Sequence, residues 1–241
     1  MPKFFVEKKH IQENCILLSK EDSKHVKTVL RGKIGDELTV CDGEGSDYHC
    51  SISALEELVA VHIRTKTLCE AEPRRKITLY QGLPKADKME FIIQKCVELG
   101  VERIVAVSTE RSIVKLDKKE EKKIERWQKI AEAAAKQSGR GKIPEIGESV
   151  LNFMEALQEA KDLDGAVIPY EKECERGLKA FAEGFHGESI GIFIGPEGGF
   201  SEKEIHLALD SEVLPVTLGK RILRTETAGM TTIAILLHEL G

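Results

Sequence analysis

No apolar run in this 241-residue chain approaches the ~20 residues needed to cross a bilayer, so a membrane-spanning helix is not expected. The opening Met1-Pro2-Lys3-Phe4-Phe5-Val6-Glu7 has neither an apolar signal core nor a cleavage site, and the expectation is a cytoplasmic protein with no membrane partner. The six cysteines (Cys15, Cys41, Cys50, Cys69, Cys96 and Cys174) lie far apart and form no C-x-x-C pair. A zinc site needs two such spaced pairs, and the seven histidines supply no H-E-x-x-H alternative, so no metal is expected. Most of the cysteines sit among apolar neighbours and read as small reduced hydrophobes. Two nucleotide-binding signatures are also missing. No G-x-G-x-x-G follows the first α/β strand, and no G-x-x-x-x-G-K-[ST] occurs, so bound nucleotide phosphates are not expected. A phosphate-free adenosine cofactor stays open. Repeats and low-complexity tracts are absent too.

What is present fits a globular protein of one or two domains, 41% hydrophobic and 32% charged. The net charge of -5 argues against nucleic-acid binding, but its distribution is uneven. Residues 76–142 carry 16 basic and 10 acidic side chains, whereas residues 143–241 carry 8 and 18. A local positive segment can hold phosphates in an acidic whole. Within it, Lys118 to Lys129 reads as a solvated helix face.

The first seventy residues alternate as strands and turns: Lys3–Val6, Cys15–Leu18, Glu37–Cys41, Tyr48–Ala54 and Leu58–Thr67. Ser19 is placed as an N-cap for a helix over 20–31 that ends at Gly32, and Asp42-Gly43-Glu44-Gly45 as a hairpin turn. Many short strands with one helix suggest a small β-barrel. The polar stretch Glu70 to Arg75 reads as a linker, which puts one domain at 1–72 and a second at 73–241. The second alternates strand and helix. Strands are expected at Ile77–Gln81, Arg103–Val107, Ala166–Pro169, Ile190–Ile194 and Val213–Leu218, and helices over 86–99, 119–137, 152–161, 172–184, 202–210 and 226–240. That order predicts a mostly parallel sheet covered on both faces. Met89, Ile92, Ile93 and Cys96 share one face of helix 86–99, and Met230, Ile233, Ala234 and Leu237 one face of helix 226–240.

Two loops at strand ends carry the chemistry. In the first, a buried strand runs through Ile194 into Gly195-Pro196-Glu197-Gly198-Gly199 and then a helix, where Ser201 and Glu204 fit a capping box with Phe200 and Ile205 as its staple. Three glycines leave backbone groups unshielded at the carboxyl edge of a sheet, where open α/β folds bind ligands. The second, Leu218-Gly219-Lys220-Arg221-Ile222-Leu223-Arg224, repeats the design, with Thr225 as the expected N-cap of the last helix.

The pairing of Gly195-Pro196-Glu197-Gly198-Gly199 with Leu218-Gly219-x-x-Ile222-Leu223-Arg224-Thr225-Glu226-Thr227-Ala228 resembles the ribosomal RNA small-subunit methyltransferase E family. Further resemblances run along the chain: His25 to Arg31, Lys85-Ala86-Asp87-Lys88-Met89-Glu90 with Gln94-Lys95 and Glu98 to Val101, Glu110-Arg111 with Val114-Lys115-Leu116, and Gln137-Ser138-Gly139-Arg140 with Pro144. Lys3 stands where the family usually has arginine, and Lys136 where a glutamate often precedes the Gln-Ser pair.

The resemblance implies a PUA-like β-barrel that binds RNA, followed by a SPOUT-class α/β domain with a C-terminal trefoil knot. It implies a homodimer and methylation of N3 of a uridine in the 16S rRNA of the small ribosomal subunit, with S-adenosylmethionine as cofactor. The cofactor-binding residues it implies are Pro169, Ile194, Gly195, Glu197, Gly198, Gly199, Leu218, Gly219, Ile222, Leu223 and Thr225; the RNA contacts are His25, Arg31, Lys85, Lys88, Gln137 and Arg140. Uracil N3 keeps its proton to roughly pH 9, so the transfer needs a base or a group that stabilises the anion. Arg224 is the candidate stabiliser and Glu226 the candidate base, although a carboxylate at a helix start also serves simply as a dipole partner. Two alternatives are a non-catalytic RNA-binding assembly factor, and a SPOUT enzyme acting on tRNA or a ribose 2′-hydroxyl.

Overall fold

The computed structural model describes residues 3–112 and 120–241, so Val114-Lys115-Leu116 and Lys118 lie outside the described residues. The chain forms two compact units: the residues up to Glu72 together with Ala135–Ile143, and Pro73–Ala134 with Pro144–Gly241.

In the first unit, strands β1 (Lys3–Phe5), β2 (Cys15–Leu17), β3 (Glu37–Cys41), β4 (Ser46–Leu55) and β5 (Val59–Leu68) pair in the order β1-β3-β4-β5-β2. The first pair is parallel and the others antiparallel. Alternate residues point inward, so Phe4, Val40, Cys50, Ile52 and Val61 join Ile16, Leu18 and Val26 in one core. The β3–β4 turn closes on Asp42, whose Oδ1 accepts the amides of Glu44 and Ser46 at 2.9 and 3.0 Å. Ser19 caps helix α1 (Lys20–Lys24) by accepting the Asp22 amide, after which the chain widens into a π-helical turn, His25–Val29. The residue with positive φ at its end is Arg31 (53°), not Gly32. Glycine is needed at 32 for space, because a side chain there would come within 3.0 Å of both Val26 and Ile52.

Ala135–Ile143 belongs to this unit rather than to the second domain where the sequence reading put it. Cys41 Sγ donates to the Gly141 carbonyl, and a side chain at Gly141 would come within 2.4 Å of Cys69. Glu72 accepts from the amides of Gly141 and Lys142 and from Arg140 Nη2 at 2.8 Å. Arg140, read from the sequence as an RNA contact, is 3% exposed and pairs with Glu72. A segment with its own strand or helix would have shown a periodicity; a loop recruited by hydrogen bonds gives none.

The second unit is built on seven parallel strands. β6 (Lys76–Gly82), β7 (Arg103–Ser108), β8 (Glu145–Ile146), β10 (Gly165–Pro169), β11 (Ser189–Ile194) and β12 (Val213–Val216) run in the order β12-β10-β11-β6-β7-β8, and β9 (Leu151–Asn152) pairs with β7. The two-residue strands β8 and β9 are too short to leave an alternating pattern. Helices α2 (Lys88–Glu98), α3 (Glu120–Gln137), α4 (Phe153–Ala160), α5 (Leu178–Gly184), α6 (Glu202–Asp210) and α7 (Thr225–Leu240) complete the chain, the last residues of α3 counting with the first unit. On one face of the sheet Tyr80 stacks on Phe193 at 4.5 Å, with Phe153 and Phe200 against them and α4 and α6 above. On the other, α7 packs against α2, α5, β6 and β11.

Two expectations are revised here. Residues 172–177 are not helical; Glu173 accepts the amides of Glu175 and Arg176, and the Arg176 carbonyl accepts the Thr217 amide, so this stretch lies along edge strand β12. The buried face of α7 is Thr225, Gly229, Thr232, Ile233 and Leu236. Of the expected set only Ile233 is buried; Ala234 is exposed, and Met230 and Leu237 are half-buried. A helix apolar all round has no unique face for its sequence to mark.

Burial raises the Glu72 carboxyl pKa, but the Arg140 guanidinium and two backbone amides outweigh it and leave it below the usual 4.5. A carboxylate held low in the folded state adds stability above its unfolded pKa and loses it as pH falls through the folded value. Acid titration of stability should therefore show a decline below about pH 4.5 that Glu72→Gln flattens; an unchanged acid limb in that variant would deny Glu72 this role.

Candidate functional site

The carboxyl ends of β6, β10, β11 and β12 come together on one edge of the parallel sheet, and both glycine loops lie there. The chain after β11 turns at once. Gly199 has φ 65° and its amide donates to the Pro196 carbonyl at 2.9 Å, and a side chain at Gly195 would meet the Gly199 Cα at 3.0 Å. The turn also lies flat on β6, since a side chain at Gly82 would come within 2.8 Å of the Pro196 backbone nitrogen. Ser201 and Glu204 then form the expected capping box of α6, with Phe200 and Ile205 buried beside it.

Three elements are locked together behind this turn. Thr225 Oγ1 donates to the Gly195 carbonyl at 2.6 Å and accepts from Gln81 Nε2 at 2.9 Å, and Gln81 Nε2 also donates to the Gly82 carbonyl. Gln81 is fully buried and its Oε1 has no partner, a cost the fold accepts to keep the relay. Thr225 is thus the first residue of α7 and not its N-cap; the cap position falls to Arg224, whose side chain makes no capping bond. Nothing in a strand sequence such as Thr78-Leu79-Tyr80-Gln81 distinguishes a buried tether from a surface glutamine, so Gln81 was not legible.

In front of the turn lies a chain of charges. Glu197 accepts the Lys85 amide and pairs with Lys88 Nζ at 2.9 Å, and Lys88 in turn stands 3.4 Å from Glu226. Burial raises the Glu197 pKa, but Lys88 and nearby amides outweigh it and hold the carboxyl below its usual range; hydrogen bonding to Glu197 raises that of Lys88. Lys88 is therefore occupied by two carboxylates, and Glu226 is a link in an ion-pair chain rather than an unengaged base. The loop that delivers Lys85 holds Ala86 at φ 54°, a left-handed conformation that costs a non-glycine residue about 1–2 kcal/mol. Arg111 Nη1 donates to the Gly198 carbonyl at 2.8 Å, and Glu110 accepts from Ser201 Oγ.

The remaining predicted positions spread along the same edge. Pro169 ends β10, and Leu218 and Gly219 follow β12. Gly219 has φ 99° and its amide donates to Thr217 Oγ1. Ile222 is 88% exposed, Arg224 is exposed and Leu223 half-buried. In the first unit, His25 lies edge-on to Phe4, Arg31 is exposed, and Gln137 ends α3 exposed to solvent. Among the described residues no group of three or more His, Cys, Asp or Glu could hold a metal, and no helix is long and apolar enough to cross a membrane.

Comparison with known proteins gives concordant matches. Residues 70–237 match the family model described as RNA methyltransferase domain, and residues 18–61 the one described as RNA methyltransferase PUA domain. The ribosomal RNA small subunit methyltransferase E of Bacillus subtilis (strain 168) is 35% identical, covering 99% of this chain and 97% of its own length. That of Mesomycoplasma hyopneumoniae (strain 232) is 34% identical over 95% and 96%. The crystal structure of a ribosomal RNA small subunit methyltransferase E from Neisseria gonorrhoeae bound to S-adenosyl methionine superposes with a TM-score of 0.85 at 31% identity, covering 98% of this chain and 96% of that one.

The relay can be tested by stability alone. Thr225→Val leaves the half-buried Gly195 carbonyl and one Nε2–H of the buried Gln81 without their partner and should cost about 1–3 kcal/mol, read as a lower urea midpoint at unchanged slope. Thr225→Ser keeps the hydroxyl and should lose much less; equal losses in the two variants would sink the relay.

Proposed function

Because the chain belongs to the ribosomal RNA small subunit methyltransferase E family, we propose that it methylates N3 of one uridine in the 16S rRNA of the small ribosomal subunit. It is an RNA methyltransferase that uses S-adenosylmethionine. The observation that carries the cofactor reading at residue level is the bare glycine turn 195–199 at the open edge of the parallel sheet. No side chain of Gly195, Gly198 or Gly199 covers the backbone there, which suits a ligand that packs directly against it.

Within this reading, Gly195, Gly198 and Gly199 with Ile194 and Leu218, Gly219, Ile222 and Leu223 line the adenosine site, and Pro169 flanks it. The bound cofactor supplies a methyl group on a sulfonium. The chain orients the uracil, and Arg224, exposed at the start of α7, offsets the negative charge left on the ring as the N3 proton passes to solvent water. Glu197 and Glu226 act by holding Lys88, and Thr225 by holding Gly195. The RNA contacts are His25, Arg31 and Gln137 in the first unit and Lys85 in the second. The sequence-independent share of RNA binding rests on the phosphate contacts of Arg31 and Lys85 and should fall steeply with salt.

Three features belong to the same proposal. A PUA-like barrel is supported by the family match over residues 18–61 and the five-stranded first unit. A trefoil knot is supported by the crossover from β11 through α6 to β12, which passes β10, followed by the return of α7 to β11 and β6. A homodimer is supported by apolar surface on α2, with Phe91 45% and Leu99 at its C-terminal cap 37% exposed. A cytoplasmic location suits an rRNA substrate.

Incubation of the purified protein and labelled S-adenosylmethionine with small subunits, naked rRNA and tRNA, followed by nucleoside analysis, should yield 3-methyluridine from the 16S rRNA. Label in tRNA or on a ribose would redirect the assignment, and no label with retained RNA binding would favour an assembly factor. Arg224→Ala should lower turnover by roughly 10²–10³-fold with cofactor affinity unchanged; wild-type turnover would remove Arg224 from catalysis.

A further inference from the structure

Most carboxylates around the glycine turn are already engaged. Glu197 and Glu226 share Lys88, Glu202 pairs with Lys172 at 2.5 Å, and Glu110 and Glu204 are held by Ser201 and by backbone amides. Glu171 stands apart. Among the described residues at this edge it is a carboxylate with neither a hydrogen bond nor an ion pair, and it is exposed. Both its oxygens nevertheless face the turn: a side chain placed on Gly199 would lie 3.7 Å from Oε2 and 3.9 Å from Oε1.

Its position is fixed by the fold. Glu171 follows the end of β10 by two residues, and β10 is the hydrogen-bonded neighbour of β11, whose end carries the turn. The loop that bears it is pinned, with the Tyr170 amide on the Val216 carbonyl at 3.0 Å and the Glu173 amide on the Tyr170 carbonyl at 3.1 Å. An acceptor-only group therefore looks across a narrow gap at a backbone stripped of side chains. In open α/β sheets a carboxylate at the end of the strand beside a glycine turn is well placed to take the hydroxyls of a ribose. A vicinal diol offers two O–H donors to two carboxylate oxygens, and such charge-assisted bonds are short and strong.

We propose that Glu171 binds the ribose of the cofactor, its two oxygens accepting the 2′- and 3′-hydroxyls. The assignment rests on the S-adenosylmethionine reading of the turn. It adds a residue that no motif in the chain marked.

Calorimetry on the full chain separates the outcomes, using S-adenosylmethionine, 5′-methylthioadenosine, which keeps the ribose but lacks the amino-acid portion, and 2′-deoxy-5′-methylthioadenosine. Glu171→Ala should weaken S-adenosylmethionine and methylthioadenosine alike by roughly 10- to 100-fold, with Glu171→Gln intermediate and unliganded Tm unchanged. The 2′-deoxy probe should bind the wild type more weakly than its parent and lose little further in Glu171→Ala, and its comparison with the parent on the wild type needs no substitution at all. Undiminished S-adenosylmethionine binding in Glu171→Ala overturns the assignment. Loss for S-adenosylmethionine but not for methylthioadenosine also overturns it, since the carboxylate would then hold the ammonium group. A wild-type chain that binds no S-adenosylmethionine overturns the cofactor reading itself, and this assignment with it.

Discussion

The buried relay from Gln81 through Thr225 to the Gly195 carbonyl is the constraint on which the rest of the site depends. It ties the ends of two neighbouring strands, β6 and β11, to the first residue of the last helix. Gln81 and Thr225 are buried and Gly195 is half-buried, so loosening the relay leaves a polar group unpaired at a cost of about 1–3 kcal/mol. The relay uses the one hydroxyl proton of Thr225 on Gly195 and the lone pairs of that oxygen on Gln81, so donor and acceptor roles are fixed in direction. The glycine turn is then rigid in place, since what fixes it lies behind it.

The charges in front of the turn serve a related end. Lys88 draws together Glu197 on the turn and Glu226 on α7, while Arg111 holds the Gly198 carbonyl from the β7 side. These groups are partly solvated, so each contributes modestly to stability. Their value lies in geometry. A loop with four anchors leaves its backbone oriented before any ligand arrives, which reduces the ordering cost of binding. The strained Ala86 directly follows Lys85, whose amide donates to the Glu197 carboxylate.

Much of this was legible in the chain. The alternation of strand and helix, the capping box at Ser201 and Glu204, the buried set Met89, Ile92, Ile93 and Cys96, and the two glycine loops all follow from local rules and all occur. What was not legible has a common cause. Thr225 reads as a cap and is a tether; Arg140 reads as a phosphate contact and is buried on Glu72; Lys88 reads as solvated or RNA-facing and is held by two carboxylates. In each case the residue type was right for several roles, and its partner lay 30 to 144 positions away.

Sequence alone thus determined which elements form and where the chain must bend, because helix periods, strand alternation, caps and bare glycines act within a few residues. It also determined the family, through motifs spread along nearly the whole length. The tertiary structure decided what each polar side chain does. Gln81, Glu171 and Lys88 acquire their roles from strand order, which brings the ends of β6, β10 and β11 side by side although they are far apart in the chain. A hydrogen bond or an ion pair acts over a few ångströms and carries no periodic signature, so only the assembled sheet edge assigns it.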